Sequence, residues 1–295
     1  AFIGQMNPPG QGSNAQIDYA ISGMSHFVTG EGQSASQKML ENAYLKALEQ
    51  NEDREIKAFI IRQIGISGTD ASIDKLAAYL NREELSGPAS RAIASIGTEK
   101  AGQALTASLM RRMGTAKTQQ DAVLALSYIP VNGAEELVKG YLNSDNADMR
   151  KVALYTLSKI GTRASLSDMA KAAESVGFTM EKTGANDANV LLIKRVFEQG
   201  HITDATKAAN DLLKKSTKAG QTGTRIAALQ LLMFPYLPDL QGTNLATMQA
   251  TTMSAVDNRK AACKLLMGAL KDPCKEYRNA ALDAVSSIAD KETYT

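Results

Sequence analysis

Tryptophan is absent from this 295-residue chain, aromatic residues make up 5% of it, and it has two cysteines and two histidines. Few aromatics leave little for the stacking platforms that hold bases or sugars. So few thiol and imidazole ligands exclude a zinc, iron–sulfur or di-iron centre built from those side chains. No apolar run of about twenty residues occurs, which excludes membrane insertion through a helical span. Neither charge sign dominates: 33 Lys plus Arg face 31 Asp plus Glu, a net charge of +2, so no polyanionic partner is expected. The hydrophobic share is 44%, enough for a large core.

The first residue is Ala1 and no charged segment precedes an apolar stretch, which reads as a processed or truncated product. Residues 1–14 form an expected ordered lead-in, because Pro8-Pro9-Gly10 cannot continue a helix. Cys263 and Cys274 flank the break at Asp272-Pro273. Two cysteines make no disulfide framework, and both are expected as small buried apolar side chains in adjacent helices.

Self-similarity organises the rest. Ile64-Gly65, Ile96-Gly97, Ile129-Pro130 and Ile160-Gly161 recur at spacings of 32, 33 and 31, and Ile288-Ala289 fits the pattern. Three positions before each isoleucine stand Ile61, Ile93, Leu126, Leu157 and Val285; seven before stand Lys57, Ala89, Ala122, Ala153 and Ala281. Offsets of zero, three and seven share one helical face. Small residues in the last column allow close helix approach. Ten before come Arg54, Ser86, Gln119, Arg150 and Arg278.

The connections repeat as well. Gly68-Thr69, Gly97-Thr98 and Gly161-Thr162 follow the isoleucine helices. The glycines suit a left-handed helix end and the threonines cap the next helix. Nothing alternates with period two, so the chain is expected to be all-α. A single hairpin cannot bury both its apolar faces, whereas a stack of hairpins can.

Asp272-Pro273 with Arg278, Ala280, Ala281, Leu282 and Ile288 resembles the short HEAT-type repeat also seen in phycobilin-lyase-like proteins, and so do Asp148, Arg150, Ala153, Leu157, Ile160 and Gly161. The resemblance implies a right-handed α-α superhelix, a solenoid of about seven to eight hairpins, with each second helix lining the concave side. It covers 15–165 and 257–290 as regular repeats. Between them, 166–256 is irregular: Gly177 to Asn189 reads as a loop insertion, two prolines at Pro235 and Pro238 stop a helix begun near Thr224, and Leu245–Ala255 is helix or irregular segment.

No catalytic constellation emerges. His26 lies in Gly23-Met24-Ser25-His26-Phe27, which lacks the final glycine of a nucleophile elbow. His201 follows a helix end, where a cation is favourable, and the paired His-Glu motifs of HEAT-repeat hydroxylases are missing. Gly30-Glu31-Gly32 and Gly220-Gln221-Thr222-Gly223 are helix punctuation and not phosphate cradles. The methionines, Met24, Met39, Met110, Met233, Met253 and Met267 among them, read as gap fillers. DNA-binding HEAT glycosylases share the repeat type, but their aromatic and basic groove is not supplied here, so nucleic acid is not an expected partner.

Second-helix positions not spent on stacking are left to line a surface. Five before the isoleucines stand Phe59, Arg91, Leu124, Tyr155 and Asp283, and one before stand Gln63, Ser95, Tyr128, Lys159 and Ser287. Phe59, Arg91, Tyr128 and Tyr155 form the candidate strip for a protein partner, being the residue types that dominate interface hot spots. The expectation is a non-enzymatic scaffold without cofactor or metal, presenting a surface to another protein or to another domain of its parent chain. Its first residues, Pro8-Pro9-Gly10-Gln11-Gly12, Tyr19-Ala20 and Gly23-Met24, are similar to the HEAT-type regions of secreted bacterial proteins that also carry a 3-keto-disaccharide hydrolase domain. That likeness implies a periplasmic or extracellular accessory module, with the cytoplasm as the alternative.

Overall fold

A computed structural model describes residues 3–8, 10–111, 114–129, 131–236 and 255–288. Among these residues there are fifteen α-helices and no strand. The chain divides into two compact units, Ala1–Tyr141 and Leu142–Thr295.

The first unit holds α1 (Ala15–Phe27), α2 (Ser34–Gln50), α3 (Arg54–Ser67), α4 (Asp70–Ala77), α5 (Ser86–Ile96), α6 (Glu99–Met110), α7 (Ala116–Ala125) and α8 (Ala134–Lys139). Odd-numbered helices pack in one row, α1 on α3, α3 on α5, α5 on α7. Even-numbered helices pack in another, α2 on α4, α4 on α6, α6 on α8. Two rows of consecutive neighbours are what stacked hairpins require.

The sequence columns explain the packing. Ile61, Ile93 and Leu126 are fully buried, and Ala58, Ser90 and Val123 lie beneath them in the core. Gly65 on α3 lets α5 come close: a Cβ there would stand 2.9 Å from Ala92 Cα. Thr69 and Thr98 cap α4 and α6 as expected, each accepting a backbone N–H at 3.3 Å. The lead-in is tied down by a reciprocal pair: the Asn7 backbone N–H donates to Asn14 Oδ1 at 2.8 Å, and Asn14 Nδ2 donates to the Asn7 carbonyl at 2.9 Å.

The second unit holds α9 (Ala147–Ile160), α10 (Leu166–Ser175), α11 (Ala185–Glu198), α12 (Ile202–Lys218), α13 (Thr222–Met233), α14 (Ala255–Ala269) and α15 (Lys275–Ile288). Here α9, α11, α13 and α15 form one row of neighbours, while α10 packs against α12. Leu157 and Ala153 are fully buried on α9. The helix begun at Thr222 gives way to a 3-10 turn, Phe234–Tyr236. Positions 245–254, where helix or irregular segment was the expectation, and Met253 lie outside the described residues.

Several sequence expectations need correction. Only Gly97 of the three repeat glycines is left-handed, at φ 74°; Gly68 and Gly161 are extended. Glycine is needed at those two for space, since a Cβ would fall 2.6 Å from the Ile64 carbonyl oxygen and 2.4 Å from that of Leu157. The insertion ends earlier than read: Asn186 and Asn189 are helical and buried on α11. Met24, Met39, Met110 and Met267 are exposed, whereas Met233 is in the core. Leu282 is exposed too. Both cysteines are free and half-buried, and Cys274 Sγ donates to Glu276 Oε2 at 3.2 Å. His201 also stands at the start of α12, where the helix dipole disfavours a cation.

Candidate functional site

In the first unit, the expected strip residues occupy successive members of one helix row. Phe59 on α3 is half-buried and Arg91 on α5 is exposed, its Nε donating to the Gly87 carbonyl at 3.3 Å. Tyr128 closes the 3-10 turn after α7 with 64% of its surface exposed. The rows run α3–α5–α7, so these three residues belong to three adjacent hairpins. Tyr155 lies in the second unit, exposed on α9, with the Lys159 ammonium 5.6 Å from its ring centroid. It therefore belongs to the other compact unit.

Gln63, placed by its column among surface positions, is buried instead. Ser25 Oγ donates to its Oε1 at 2.8 Å and its Nε2 donates to Ser22 Oγ at 3.2 Å. The Tyr44 hydroxyl lies 2.7 Å from Ser25 Oγ. Burial pushes the Tyr44 phenol above its ordinary pKa, with the Ser25 hydrogen bond acting the other way. This network joins α1, α2 and α3. The column rule failed because two serines of α1, Ser22 and Ser25, gave the amide partners inside the core.

Column position did not mark a cavity in the second unit. A cavity of about 720 Å³ in the second unit is bounded by α10, α11 and α12. Its buried wall is Phe178, Ile193 and Leu212, together with Asn189. Asn189 is 2% exposed and its Oδ1 has no hydrogen-bond partner. Phe178 is held in the left-handed region at φ 60°, a conformation costing a bulky residue roughly 1–3 kcal/mol. Its carbonyl accepts from Thr224 Oγ1 at 2.8 Å, and Thr224 in turn accepts from Asn186 Nδ2 at 2.8 Å. That chain fixes the aromatic wall from behind.

The cavity rim carries both charge signs. Arg163 pairs with Asp204 at 3.5 Å, Lys171 with Asp168 at 3.5 Å, and Lys215 with Glu174 at 2.6 Å. Lys207 and Asp211, both exposed and both lining the cavity, have no ion-pair partner among the described residues. They are four positions apart on α12, hence on the same helical face.

No known protein family matches the chain, and no curated protein does either. Among solved structures it is similar to two engineered proteins. One aligns at 17% identity over 84% of this chain and 96% of its own length, with a TM-score of 0.29. The other aligns at 18% identity over 91% of this chain and 98% of its own, with a TM-score of 0.27. Likeness at this level bears on neither fold nor function. No helix among the described residues is long and apolar enough to cross a membrane.

Proposed function

We propose that the chain is a non-catalytic HEAT-type scaffold that holds another protein, or another domain of its own parent chain, against the exposed positions of its second helices. The observation that carries the reading is Tyr128, 64% exposed at the end of a helix whose Leu126 is fully buried. A large amphipathic ring left uncovered on a rigid stack is suited to anchoring a partner. Arg91 on the adjacent hairpin adds an exposed cation beside that row. The HEAT assignment is supported by the capped threonines and by the repeated arginine column. A secreted, periplasmic or extracellular location is the accompanying expectation.

A photo-crosslinking residue introduced at Tyr128, against one at exposed Lys46 on α2, tests the reading in cells of the source organism. Capture of one defined protein or domain from position 128 and not from 46, abolished by Arg91→Ala, supports it. Equal labelling from both positions, or turnover of a defined substrate by the purified chain, overturns it.

A further inference from the structure

We propose that the outer side of α1 joins two copies of this chain into a two-fold, antiparallel dimer, the Tyr19 ring of each copy seated over Gly23 of the other. α1 buries Ile21 and Ser25 within its own unit. Tyr19, Gly23 and Phe27 each stand two positions from one of those residues, about 200° around the helix. They therefore follow one another at four-residue steps along the opposite side. Tyr19 is 85% exposed and Phe27 66%. Gln16 and Ala20 lie beside them and exposed Met24 at the edge; none of these six residues is charged. The end of a stacked row needs a polar outer face to stay in water alone, and this one presents two aromatic rings and a methionine.

The face is complementary to itself. A two-fold contact requires a patch in which residue i meets residue j and j meets i. Tyr19 is a projecting ring, and Gly23, one helical turn away, is a pit: a Cβ there would meet nothing within 4 Å. Two α1 helices laid antiparallel about an axis at position 21 place each ring over the other copy's pit, with Phe27 beside Ala15, a second small exposed residue. An unrelated partner would have to supply a matching pit, whereas a second copy brings one. The absence of charge also spares the pair the like-charge opposition that a two-fold axis forces on a charged face. Tyr19, Phe27 and Met24 offer roughly 300–400 Å² of apolar surface per copy. That is about half of the 800 Å² per partner typical of a stable interface, so the dimer is expected to form at roughly tens to hundreds of micromolar chain and not to be permanent.

Sedimentation equilibrium of the full chain from low-micromolar to near-millimolar concentration tests the assignment, with reductant present because Cys263 and Cys274 are free thiols. The weight-average mass is expected to rise toward that of the dimer with concentration. Tyr19→Ala removes the ring and should weaken dimerisation about ten-fold or more. Gly23→Leu separates the seated ring from general stickiness: it adds exposed apolar surface, which would strengthen a non-specific association, but it fills the pit and is expected to weaken this dimer by a similar factor. Both positions are exposed, so the melting temperature at low concentration should stay at the parental value or, for Gly23→Leu, rise. A chain that is monomeric at every concentration, as when α1 serves a different partner, overturns the proposal. So does a dimer that Tyr19→Ala leaves intact or that Gly23→Leu tightens.

Discussion

Arg150 Nη1 donates to the Ser144 carbonyl oxygen at 2.6 Å, six positions back along the chain. Arg278 Nη1 does the same to the Asp272 carbonyl, also at 2.6 Å and also six positions back. Both side chains are half-buried at the foot of a second helix, so these two arginines of the column fasten the preceding loop to the helix that follows it, whereas Arg54 in the same column is exposed. Arg150→Ala is expected to destabilise the second unit by about 1.5–3 kcal/mol, the scale for a hydrogen bond to a charged group. Arg150→Lys should recover only part: the same Nη1 also donates to the Asp145 carbonyl at 3.1 Å, and a flexible ammonium is not pre-organised for both carbonyls as the planar guanidinium is. Chemical denaturation of the three proteins measures this, and equal midpoints for all three would refute the fastening role.

Leu157 is fully buried on α9, in the column that Ile61, Ile93 and Leu126 fill in the first unit. Leu157→Ala is expected to cost about 2–5 kcal/mol. A change of only a few tenths, read from urea midpoints, would mean that the α9 face is not packed by the row it belongs to.

The hairpin period, the all-α class and the identity of the core columns were legible because burial imposes the same residue types at each repeat. Ile61, Ile93, Leu126 and Leu157 could be read off a ruler. The glycines could be located but not explained: Gly97 needs its positive φ, while Gly68 and Gly161 need room beside a carbonyl oxygen, and the letter is the same. Gln63 and Asn189 illustrate the harder case. Both are amides on second helices, and both are buried, but Gln63 is satisfied by residues 38 and 41 positions away, whereas Asn189 Oδ1 is not satisfied. Column arithmetic carries no knowledge of such distant partners. It therefore gave the strip of Phe59, Arg91 and Tyr128 and passed over the cavity.

Gly65 stands where α3 lies close against α5. In Gly65→Ala the new methyl would stand 2.9 Å from Ala92 Cα and 3.1 Å from Ala92 Cβ, neither of which can swing aside as a long side chain would. Overpacking of this kind costs about 1–3 kcal/mol, more than the modest helix-propensity gain of alanine over glycine. Thermal melts should show a lowered midpoint. A raised midpoint would mean that the two helices separate easily and that Gly65 does not set their spacing.

Ser90 runs the other way. It is 1% exposed and its hydroxyl has no hydrogen-bond partner, while the equivalent position one repeat earlier is Ala58. Ser90→Ala removes an unsatisfied polar group without leaving a sizeable void, and is expected to stabilise by about 1 kcal/mol. Destabilisation in the same denaturation assay would show that the hydroxyl does find a partner in solution.

Asp272 gives the second unit an acid-sensitive joint. Burial by itself would raise its carboxyl pKa, but the Cys274 backbone N–H, donating to Oδ1 at 2.9 Å, and the Arg225 guanidinium paired with Oδ2 outweigh burial and hold it below the ordinary carboxylate range. Arg225 is itself fixed over the Tyr277 ring, 4.3 Å from its centroid, so the joint ties α13 to α15. Because the folded pKa is depressed, the unfolded chain takes up the proton first on acidification. The stabilisation is present above the unfolded value of about 3.9 and is lost as pH falls through the folded one. Asp272→Asn keeps the Oδ1 acceptor and removes the charge. Its melting temperature is therefore expected to lie below that of the parent at pH 6 and to converge on it as the pH is lowered below about 4. Parallel curves across that range would show that the carboxylate charge plays no part in holding α15 to α13.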